Sequence, residues 1–351
     1  MKKIKLVVLK TLHQIGIFRV FRWWNRNGVI ILYAHGVADC RQDSTWEPLR
    51  SYISTDSLKE QIGNISRSYS WVTLESAVKM IEGTIPVEPF SIAITFDDGY
   101  RNNKTNALSI LSSRNIIPTF FIATAYSDNR KPFVFDRLDY AIQHIRETVK
   151  LELKGTEFVF EPGGREAQRV VYAQLRAHGK ETFDSDESFA NFFESLCEQI
   201  EAETGKSLTD VQSSDPWSAT LSRDEILELA KSGSVVIGSH TVDHVRLDKV
   251  DAEICSGQLV ESKKELEATT GRQCDQFCYP NGNVNAQVAR LVKEAGYSCA
   301  VSTVRGHNRV GTDLYQLKRI HLPVHADRIR TEAMLCGFDG LVARIKSVVS
   351  K

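Results

Sequence analysis

The chain of 351 residues contains 44 lysines and arginines and 44 aspartates and glutamates, so its formal net charge at pH 7 is zero. A balanced charge gives no electrostatic argument for nucleic-acid binding, and a hydrophobic content of 42% is ordinary for a soluble globular protein. The length fits roughly two domains, or one barrel of about 200–250 residues with additional segments, and predicts no oligomeric state.

The seven cysteines are scattered along the chain, and none forms a Cys-x-x-Cys pair. The spacing of Cys274 and Cys278 is not a usual zinc pattern. Unclustered cysteines in odd number indicate reduced thiols, mostly core residues, in a cytoplasmic protein.

The N-terminal 27 residues place apolar side chains at near-helical spacing among lysines and arginines. Lys10 and His13 interrupt the apolar run, and no segment reaches the roughly 18 apolar residues of a membrane span. We therefore expect no secretion and a cytoplasmic location. Residues 1–26 are either a basic amphipathic helix in peripheral contact with the inner membrane face or a helix packed on the underside of the domain.

Residues 28–37 are predicted to form a first buried strand that ends in a histidine, His35. Helices are predicted at 57–67 and 71–82, the second with Thr73 as its N-cap. The next strand, residues 92–96, is rich in β-branched and aromatic residues and ends directly at Asp97 and Asp98. Barrels and open α/β sheets bind ligands at the carboxyl ends of their strands.

Adjacent carboxylates repel each other, so a cation close to Asp97 and Asp98 would make their proximity favourable. The alternative is an ordinary strand followed by an Asp-Gly turn. A second apolar strand, at residues 235–239, ends at His240 and, four positions on, His244.

On a helical turn, residues i and i+4 share one face, and two imidazoles could then reach one metal ion. Two imidazoles, one or two carboxylates and a water make the open pattern of a catalytic divalent metal. The alternative for this pair is the capped start of a helix with two solvated histidines.

The strand–helix rhythm breaks between residues 125 and 220, a stretch too long for a simple loop. Helices are predicted there at 136–146 and 188–204, with a strand pair at 151–153 and 157–160. We interpret this segment as an inserted lid that decides substrate selection. The rhythm resumes at Ser222 and Glu225, a capping box, and continues to about residue 330, before a C-terminal helical region at 331–351.

Three motifs resemble those of one known family. Thr95-Phe96-Asp97-Asp98-Gly99 and the segment from His240 to Leu247 resemble the first two motifs of the polysaccharide deacetylases (NodB homology domain, carbohydrate esterase family 4). Residues 277–282, Phe-Cys-Tyr-Pro-Asn-Gly, resemble the third motif in its Tyr-Pro-x-Gly form. The resemblance implies an α/β fold: a deformed (β/α)7-type barrel formed by residues 28–124 and 221–330, with a largely helical insertion.

The resemblance also implies a metal site. Asp98, His240 and His244 would bind a divalent metal, zinc first, with cobalt, nickel or manganese as alternatives. Asp97 would be the general base that takes a proton from water. A cation nearby would keep both carboxylates ionised, so that Asp97 can accept a proton at neutral pH.

The remaining roles follow from the third motif and from the end of the chain. In the family a backbone N–H of the third motif stabilises the oxyanion; here it belongs to Asn281, since Pro280 has none, while Tyr279 shapes the loop. The proton for the leaving amine is assigned to His321. His35, His307 and His325 are alternatives to His321.

The third motif lacks the arginine that orients the base in many members. Gln276, Phe277 and Cys278 stand in that region. Arg319, on the last predicted strand, could substitute for it, or it could be a surface arginine.

The resemblance thus implies a hydrolase that removes an N-acetyl group from an amino sugar, in a polysaccharide or a lipid-linked precursor of the cell envelope. A deformylase or O-deacetylase would use the same centre. An inactive carbohydrate-binding barrel is the alternative from another class, and the intact Asp97 argues against it. A two-metal phosphate-ester hydrolase would need more acidic ligands than the sequence shows.

Overall fold

The computed structural model describes residues 2–39 and 46–342, with side chains from residue 7 onward. Cys40 and the last part of the predicted C-terminal helical region therefore lie outside the described residues. The strands are, in chain order, β1 (Ile30–Ala34), β2 (Val37–Ala38), β3 (Ile53–Ser54), β4 (Ser70–Trp71), β5 (Ser91–Phe96), β6 (Thr119–Ile122), β7 (Val149–Leu153), β8 (Thr156–Phe160), β9 (Val236–Ser239), β10 (Gln276–Cys278), β11 (Cys299–Val301) and β12 (Ile320–His321).

The helices surround these strands. They are α1 (Lys2–Gln14), α2 (Ile17–Trp24), α3 (Thr55–Ile65), α4 (Leu74–Glu82), α5 (Leu108–Ser112), α6 (Val134–Gln143), α7 (Arg165–Thr182), α8 (Asp186–Thr204), α9 (Arg223–Ser232), α10 (Ala252–Thr270), α11 (Ala286–Glu294) and α12 (Arg328–Leu335). The predicted N-caps Thr73 and Ser222 accept hydrogen bonds from Ser76 N–H and Glu225 N–H, so the capping-box prediction at Ser222 is confirmed.

A curled sheet of parallel strands forms the centre of the molecule. Its strand order is β11-β10-β9-β6-β5-β1-β12, with β4 attached to β5. A parallel bridge between Val301 and Leu317, which precedes β12, joins the two ends of the sheet. The predicted deformed (β/α) barrel is confirmed, with seven strands along the main path and β4 as an eighth.

Burial on both faces explains the apolar sequence of the central strands. All six residues of β5 are buried, as are all four of β6, because side chains fill the interior and helices cover the outside. The sequences of these strands are therefore continuous apolar runs. The first polar residues follow the carboxyl ends of the strands and lie together at that end of the barrel.

The insertion has a hydrophobic core of its own, formed between α6, α7, α8 and the antiparallel hairpin β7–β8. The sequence predicted α6, α8 and the hairpin but missed the 18-residue helix α7. Only four of its residues are buried, Gln168, Tyr172, Leu175 and Gly179. The helical periodicity of hydrophobic residues, from which a helix is predicted, is therefore weak in this segment.

The segment after Asp98 also differs from the prediction of one amphipathic helix over 102–114. A π-helical turn, Asn103–Ala107, precedes the short α5. Single π turns occur often beside functional sites.

The N-terminal helices pack on α12. Leu9 and Phe18 are buried against Ala333 and Cys336, and Glu332 pairs with both His13 and Arg22. The backbone N–H of Phe90, just before β5, donates to Arg26 C=O, so this pair of helices adjoins the amino ends of the strands. Among the described residues, no helix combines the length and hydrophobicity needed to cross a bilayer.

Candidate active site

Asp97 and Asp98 leave the end of β5 in a tight turn. Asp98 has φ 74° and Gly99 has φ 80°, two successive left-handed residues that turn the chain away from the sheet. A Cβ at Gly99 would lie 3.1 Å from Ile122, and aspartate is among the few non-glycine residues that adopt this conformation readily. The turn is a local strain of the kind found at functional sites.

His240 and His244 follow β9 in an irregular loop, so the predicted helical turn is wrong. Thr241 and His244 have φ 67° and φ 56°, and these left-handed residues bend the loop so that the two rings still meet, with centroids 4.9 Å apart. The close approach of the rings therefore comes from loop conformation and not from helical periodicity.

The two histidines converge on Asp98. Its Oδ1 lies 3.5 Å from His240 Nε2 and 3.4 Å from His244 Nε2. Burial would raise the pKa of Asp98, but His35, His240 and His244 together hold it well below its usual value. Asp98, whose Oδ1 is buried without a hydrogen-bond partner, is thus ready to accept a cation.

These residues fit a divalent metal. Ligand atoms about 2.0–2.1 Å from a tetrahedral ion lie roughly 3.3 Å from one another, close to the distances found here. His240 Nδ1 donates to Cys278 C=O at 2.7 Å, which leaves Nε2 free as a ligand and fixes the ring.

A second group, Asp97, His240 and Cys278, also brings possible ligand atoms together. Both carboxylate oxygens of Asp97 are already occupied by Arg319, which also donates to Cys278 Sγ at 3.2 Å. A guanidinium in that position disfavours a cation, and Asp98 is the better metal ligand.

Asp97 is 2% exposed and is held by a bidentate pair with Arg319. Arg319 Nη1 and Nη2 donate to the two oxygens at 2.7 and 2.8 Å, and Arg319 Nε donates to Ser302 C=O at 2.9 Å. Burial would raise the pKa of Asp97, but this guanidinium outweighs burial and lowers it. Arg319 is fully buried, so the surface interpretation is wrong and the substitute interpretation fits the geometry.

The third-motif loop, which contains Asn281, follows β10, and Cys278 C=O at the end of that strand accepts from His240 Nδ1. Asn281 has φ 59° and Gly282 has φ 79°, and a Cβ at Gly282 would lie 2.0 Å from Thr303, so glycine is required. Tyr279 donates its hydroxyl to Tyr315 C=O at 2.8 Å. This contact fits the role in shaping the loop that the sequence predicts for Tyr279.

The four candidate histidines separate into two groups. His35 and His321, at the ends of the adjacent strands β1 and β12, have ring centroids 6.4 Å apart, and both interact electrostatically with Asp97. His307 is bonded to Leu335 C=O at 2.9 Å, and His325 lines a cleft with Arg50 and Arg165. His35 and His321, which interact with Asp97, are therefore the better candidates for proton transfer.

The insertion is attached to the loop of metal-ligand candidates by Arg246. Arg246 Nε donates to Asp186 Oδ1 at 2.7 Å, and both residues are largely buried. Phe133 packs edge-on against His244 with centroids 5.5 Å apart. Sequence reasoning missed Arg246, although its place in the second motif next to His244 was a signal.

The fold and this cluster define a (β/α) barrel with a candidate metal centre at the carboxyl ends of its strands. A family model described as "Polysaccharide deacetylase" matches residues 84–300. The chain belongs to the polysaccharide deacetylase family.

Individual relatives are distant. The Bacillus subtilis (strain 168) protein named "Putative polysaccharide deacetylase YxkH" is 26% identical over 102 residues, which are 29% of this chain and 36% of that protein. The chain thus matches about a third of the length of this curated relative.

Solved structures show the same fold. The Streptococcus pyogenes deacetylase PplD, in complex with acetate, has a TM-score of 0.56 at 14% identity, covering 88% of this chain and 98% of that one. IcaB from Ammonifex degensii has a TM-score of 0.55 at 16% identity, covering 88% and 97%. BC0361, a polysaccharide deacetylase from Bacillus cereus, has a TM-score of 0.53 at 18% identity, covering 88% and 69%.

Proposed function

We propose that this protein is a divalent-metal-dependent hydrolase that removes an N-acetyl group from an amino sugar of a polysaccharide or lipid-linked glycan precursor. One observation carries the proposal: Asp98 Oδ1 meets His240 and His244 at 3.5 and 3.4 Å, directly beside the buried Asp97. Family membership supports sugar deacetylation.

Asp98, His240 and His244 would hold the metal, with zinc the first choice for a carboxylate and two imidazoles. A divalent cation bound there polarises the amide carbonyl and lowers the pKa of a water towards neutrality. The chain's own contribution to binding is a fixed donor set: one unpartnered buried carboxylate oxygen and one ring oriented by Cys278 C=O.

Asp97 takes the proton from the attacking water. Arg319 keeps Asp97 ionised and fixes the plane of its carboxylate, so the base is aimed before substrate arrives. The Asn281 N–H would donate to the oxyanion as the carbonyl carbon becomes tetrahedral.

His321 donates the proton that the leaving amine needs. Desolvation of the ring, with His35 nearby, lowers the pKa of His321 to about 4. The ring is therefore neutral at pH 7, and the proton that it gives to the amine is the one that Asp97 has taken from the water and passed on. His35, the nearest other histidine, is the alternative donor.

Peripheral contact with the inner membrane face belongs to the same proposal. Val7, Val8, Ile15, Val20, Trp23 and Trp24 are each at least half exposed. Lys10 and Arg19 are exposed between them, which suits an anionic bilayer surface. A Trp23→Ser/Trp24→Ser variant should bind anionic vesicles less than the parent, with neutral vesicles as the control; unchanged binding of both would contradict membrane contact.

Acetate release tests the catalytic proposal. Purified protein is incubated with zinc, cobalt, nickel or manganese and either a chitooligosaccharide or a lipid-linked N-acetylhexosamine. Asp97→Asn should reduce acetate release by about 10²–10⁴-fold while it retains the metal, and the exposed Asp224→Asn is the matched control. An Asp97→Asn protein as active as the parent would disprove the assignment of the base.

Parallel assays with N-formylated and O-acetylated sugars separate the related activities. Release of formate would assign the protein as a deformylase instead of an N-deacetylase. Release of acetate from the O-acetylated sugar alone would assign it as an O-deacetylase. Sugar binding without release from any of these substrates would identify a binding barrel instead.

A further inference from the structure

Helix α7, which belongs to the insertion, carries a continuous basic face. Arg165, Arg169, Arg176 and Lys180 recur at intervals of 4, 7 and 4 residues. At 100° per residue they lie within about 60° of arc, and at 1.5 Å per residue they span about 22 Å. We call these four residues the α7 basic face.

Lys180 brings one end of this face to the catalytic cluster. Its Nζ donates to Asn281 Oδ1, on the loop assigned to the oxyanion. Arg246 Nη1 donates to Lys180 C=O at 3.2 Å. A Cβ at Gly179 would lie 2.7 Å from Phe193, so α7 is fixed close to α8. The backbone at Lys180 is thus held by Arg246, and the neighbouring Gly179 packs closely against the side chain of Phe193.

The other end of the basic face reaches a second part of the site. An open cleft of about 580 Å³ is lined by Arg165, Arg169, Arg50 and His325, and also by the carboxylate of Glu47. Arg50 is paired with Asp136 at 2.7 Å. Arg50 lies close enough to His35 to lower the pKa of that histidine, together with burial. The cleft therefore adjoins the His35 side of the catalytic cluster.

The charges of this face are poorly compensated. Among the described residues, neither Arg176 nor Lys180 forms an ion pair, whereas nearby Arg246 pairs with Asp186. Arg165 pairs with Glu47 at 3.1 Å and Arg169 with Glu166 at 4.0 Å, both solvent-exposed pairs that contribute little. The Nε atoms of Arg165 and Arg176 are buried without a hydrogen-bond partner. A divalent cation at Asp98 would add to this positive potential.

We propose that the α7 basic face binds a negatively charged group of the substrate, so that the N-acetylated sugar belongs to an anionic glycan carrying phosphate or carboxylate. This inference rests on the proposed deacetylase function and narrows its substrate class. Clustered cations, of which Arg176 and Lys180 form no ion pair among the described residues, raise the local concentration of anions, and both phosphate and carboxylate form charge-assisted hydrogen bonds with arginine and lysine.

The environment of Lys180 is consistent with this role. Loss of solvent, with Arg176 and Arg246 nearby, lowers the pKa of Lys180 to about 8, against the opposing attraction of Asp98. An anion bound beside the ammonium would reverse this destabilisation of the charged form.

Three probes distinguish the sources of negative charge: methyl N-acetylglucosaminide, which is neutral, N-acetylglucosamine 1-phosphate, and a disaccharide of N-acetylglucosamine with glucuronic acid. Acetate release gives kcat and KM, and calorimetric titration gives Kd without turnover. The variants are Lys180→Gln and the more exposed Arg169→Gln, with Lys150→Gln, an exposed lysine of the hairpin, as the matched control.

The parent protein should prefer at least one anionic probe over the neutral one, in Kd and kcat/KM, by about 10- to 100-fold. Arg169→Gln should lose part of that preference with activity on the neutral probe nearly kept. Lys180→Gln should lose more activity on the anionic probes than on the neutral one, while Lys150→Gln should behave as the parent. Added salt should reduce the preference. Preference for the phosphate probe alone or for the uronate probe alone identifies the anion.

Equal handling of neutral and anionic probes by the parent would overturn the inference and leave the deacetylase proposal intact. Equal loss on all probes in Lys180→Gln, with Arg169→Gln unchanged, would reduce Lys180 to a residue that positions Asn281. Tight anion binding without acetate release would instead overturn the proposed reaction while supporting the anion site.

Discussion

Arg319 and Asp97 form a buried bidentate pair, with N–O distances of 2.7 and 2.8 Å between residues 222 positions apart in the sequence. Arg319 also packs over the ring of Tyr33, with its Cζ 4.3 Å from the ring centroid. The residue proposed to orient the base thus directly precedes β12, whereas the third motif begins in β10, and Arg319 Nη2 contacts Cys278 Sγ of β10 at 3.2 Å.

Arg319→Gln should lower both stability and activity. Removal of one partner from a buried pair leaves an uncompensated charge and costs about 3–5 kcal/mol of unfolding free energy. Chemical denaturation and acetate release measure the two effects, with the exposed Arg290→Gln as the control. Arg319→Lys should have a stability and an activity between those of the parent and Arg319→Gln, because an ammonium keeps the charge but cannot make the bidentate contact. A fully stable and active Arg319→Gln protein would refute the orienting role.

Metal binding should stabilise the folded protein. A ligand at about 100 times its Kd adds roughly 2.7 kcal/mol to the free energy of unfolding, so zinc should raise the melting temperature of chelator-treated protein. Asp98→Asn and His244→Gln should each remove most of this rise, since each deletes a ligand. The exposed Asp128→Asn is the control. Retention of the full rise in both ligand variants would place the metal elsewhere.

The proton donor is tested by comparing His321→Gln with His35→Gln. If His321 protonates the leaving amine, its substitution should reduce kcat by about 10²–10⁴-fold with little change in metal affinity. His35 interacts electrostatically with Asp98, a proposed metal ligand. We therefore expect substitution of His35 to affect metal affinity more than kcat. Measurements of kcat and of zinc affinity on both variants distinguish the two histidines. A large loss of kcat in His35→Gln, with kcat kept in His321→Gln, would assign the proton donor to His35.

Asp139 should make stability fall as pH rises. This carboxyl is fully buried, and burial, with Asp136 nearby, raises its pKa to about 7, against about 3.9 in an unfolded chain. Between these values the folded state keeps a proton that the unfolded state has lost. The contribution of Asp139 is therefore complete below about pH 4 and is lost through about pH 7.

Asp139→Asn should flatten this part of the stability profile, because the amide does not titrate. Urea unfolding at pH 4.5, 6 and 7.5 gives the slope for parent and variant. The exposed Asp224→Asn should leave the slope of the parent unchanged. Parallel profiles for the parent and Asp139→Asn would show that Asp139 titrates at an ordinary pKa in the folded state.

The sequence predicted most of the barrel because its strands are short, apolar and regularly spaced. The same regularity placed Asp97 and Asp98 at a strand end, and it placed His240 and His244 at another. The physical reason given for the histidine pair was wrong, since left-handed backbone at Thr241 and His244 brings the rings together. The sequence thus identified the two histidines that lie together, although it predicted the wrong backbone conformation between them.

The features that the sequence did not predict depend on contacts between residues that are distant in the chain. The sequence offered Arg319 only as one possibility, since a pairing across 222 residues leaves no local pattern. Helix α7 was missed because few of its residues are buried, and Lys180 was missed with it. The choice among four histidines likewise needed their positions in space.

The pairing of β1 with β12 also has a consequence for the order in which the molecule is made. At about 5–20 residues per second, a ribosome would synthesise Arg319 roughly 10 to 45 s after Asp97. During that interval the insertion can form its own core, while the nascent barrel holds a carboxylate that lacks its guanidinium. The segment that leads into the last strand therefore supplies the partner of the proposed base, and a chain released before residue 319 would lack that guanidinium.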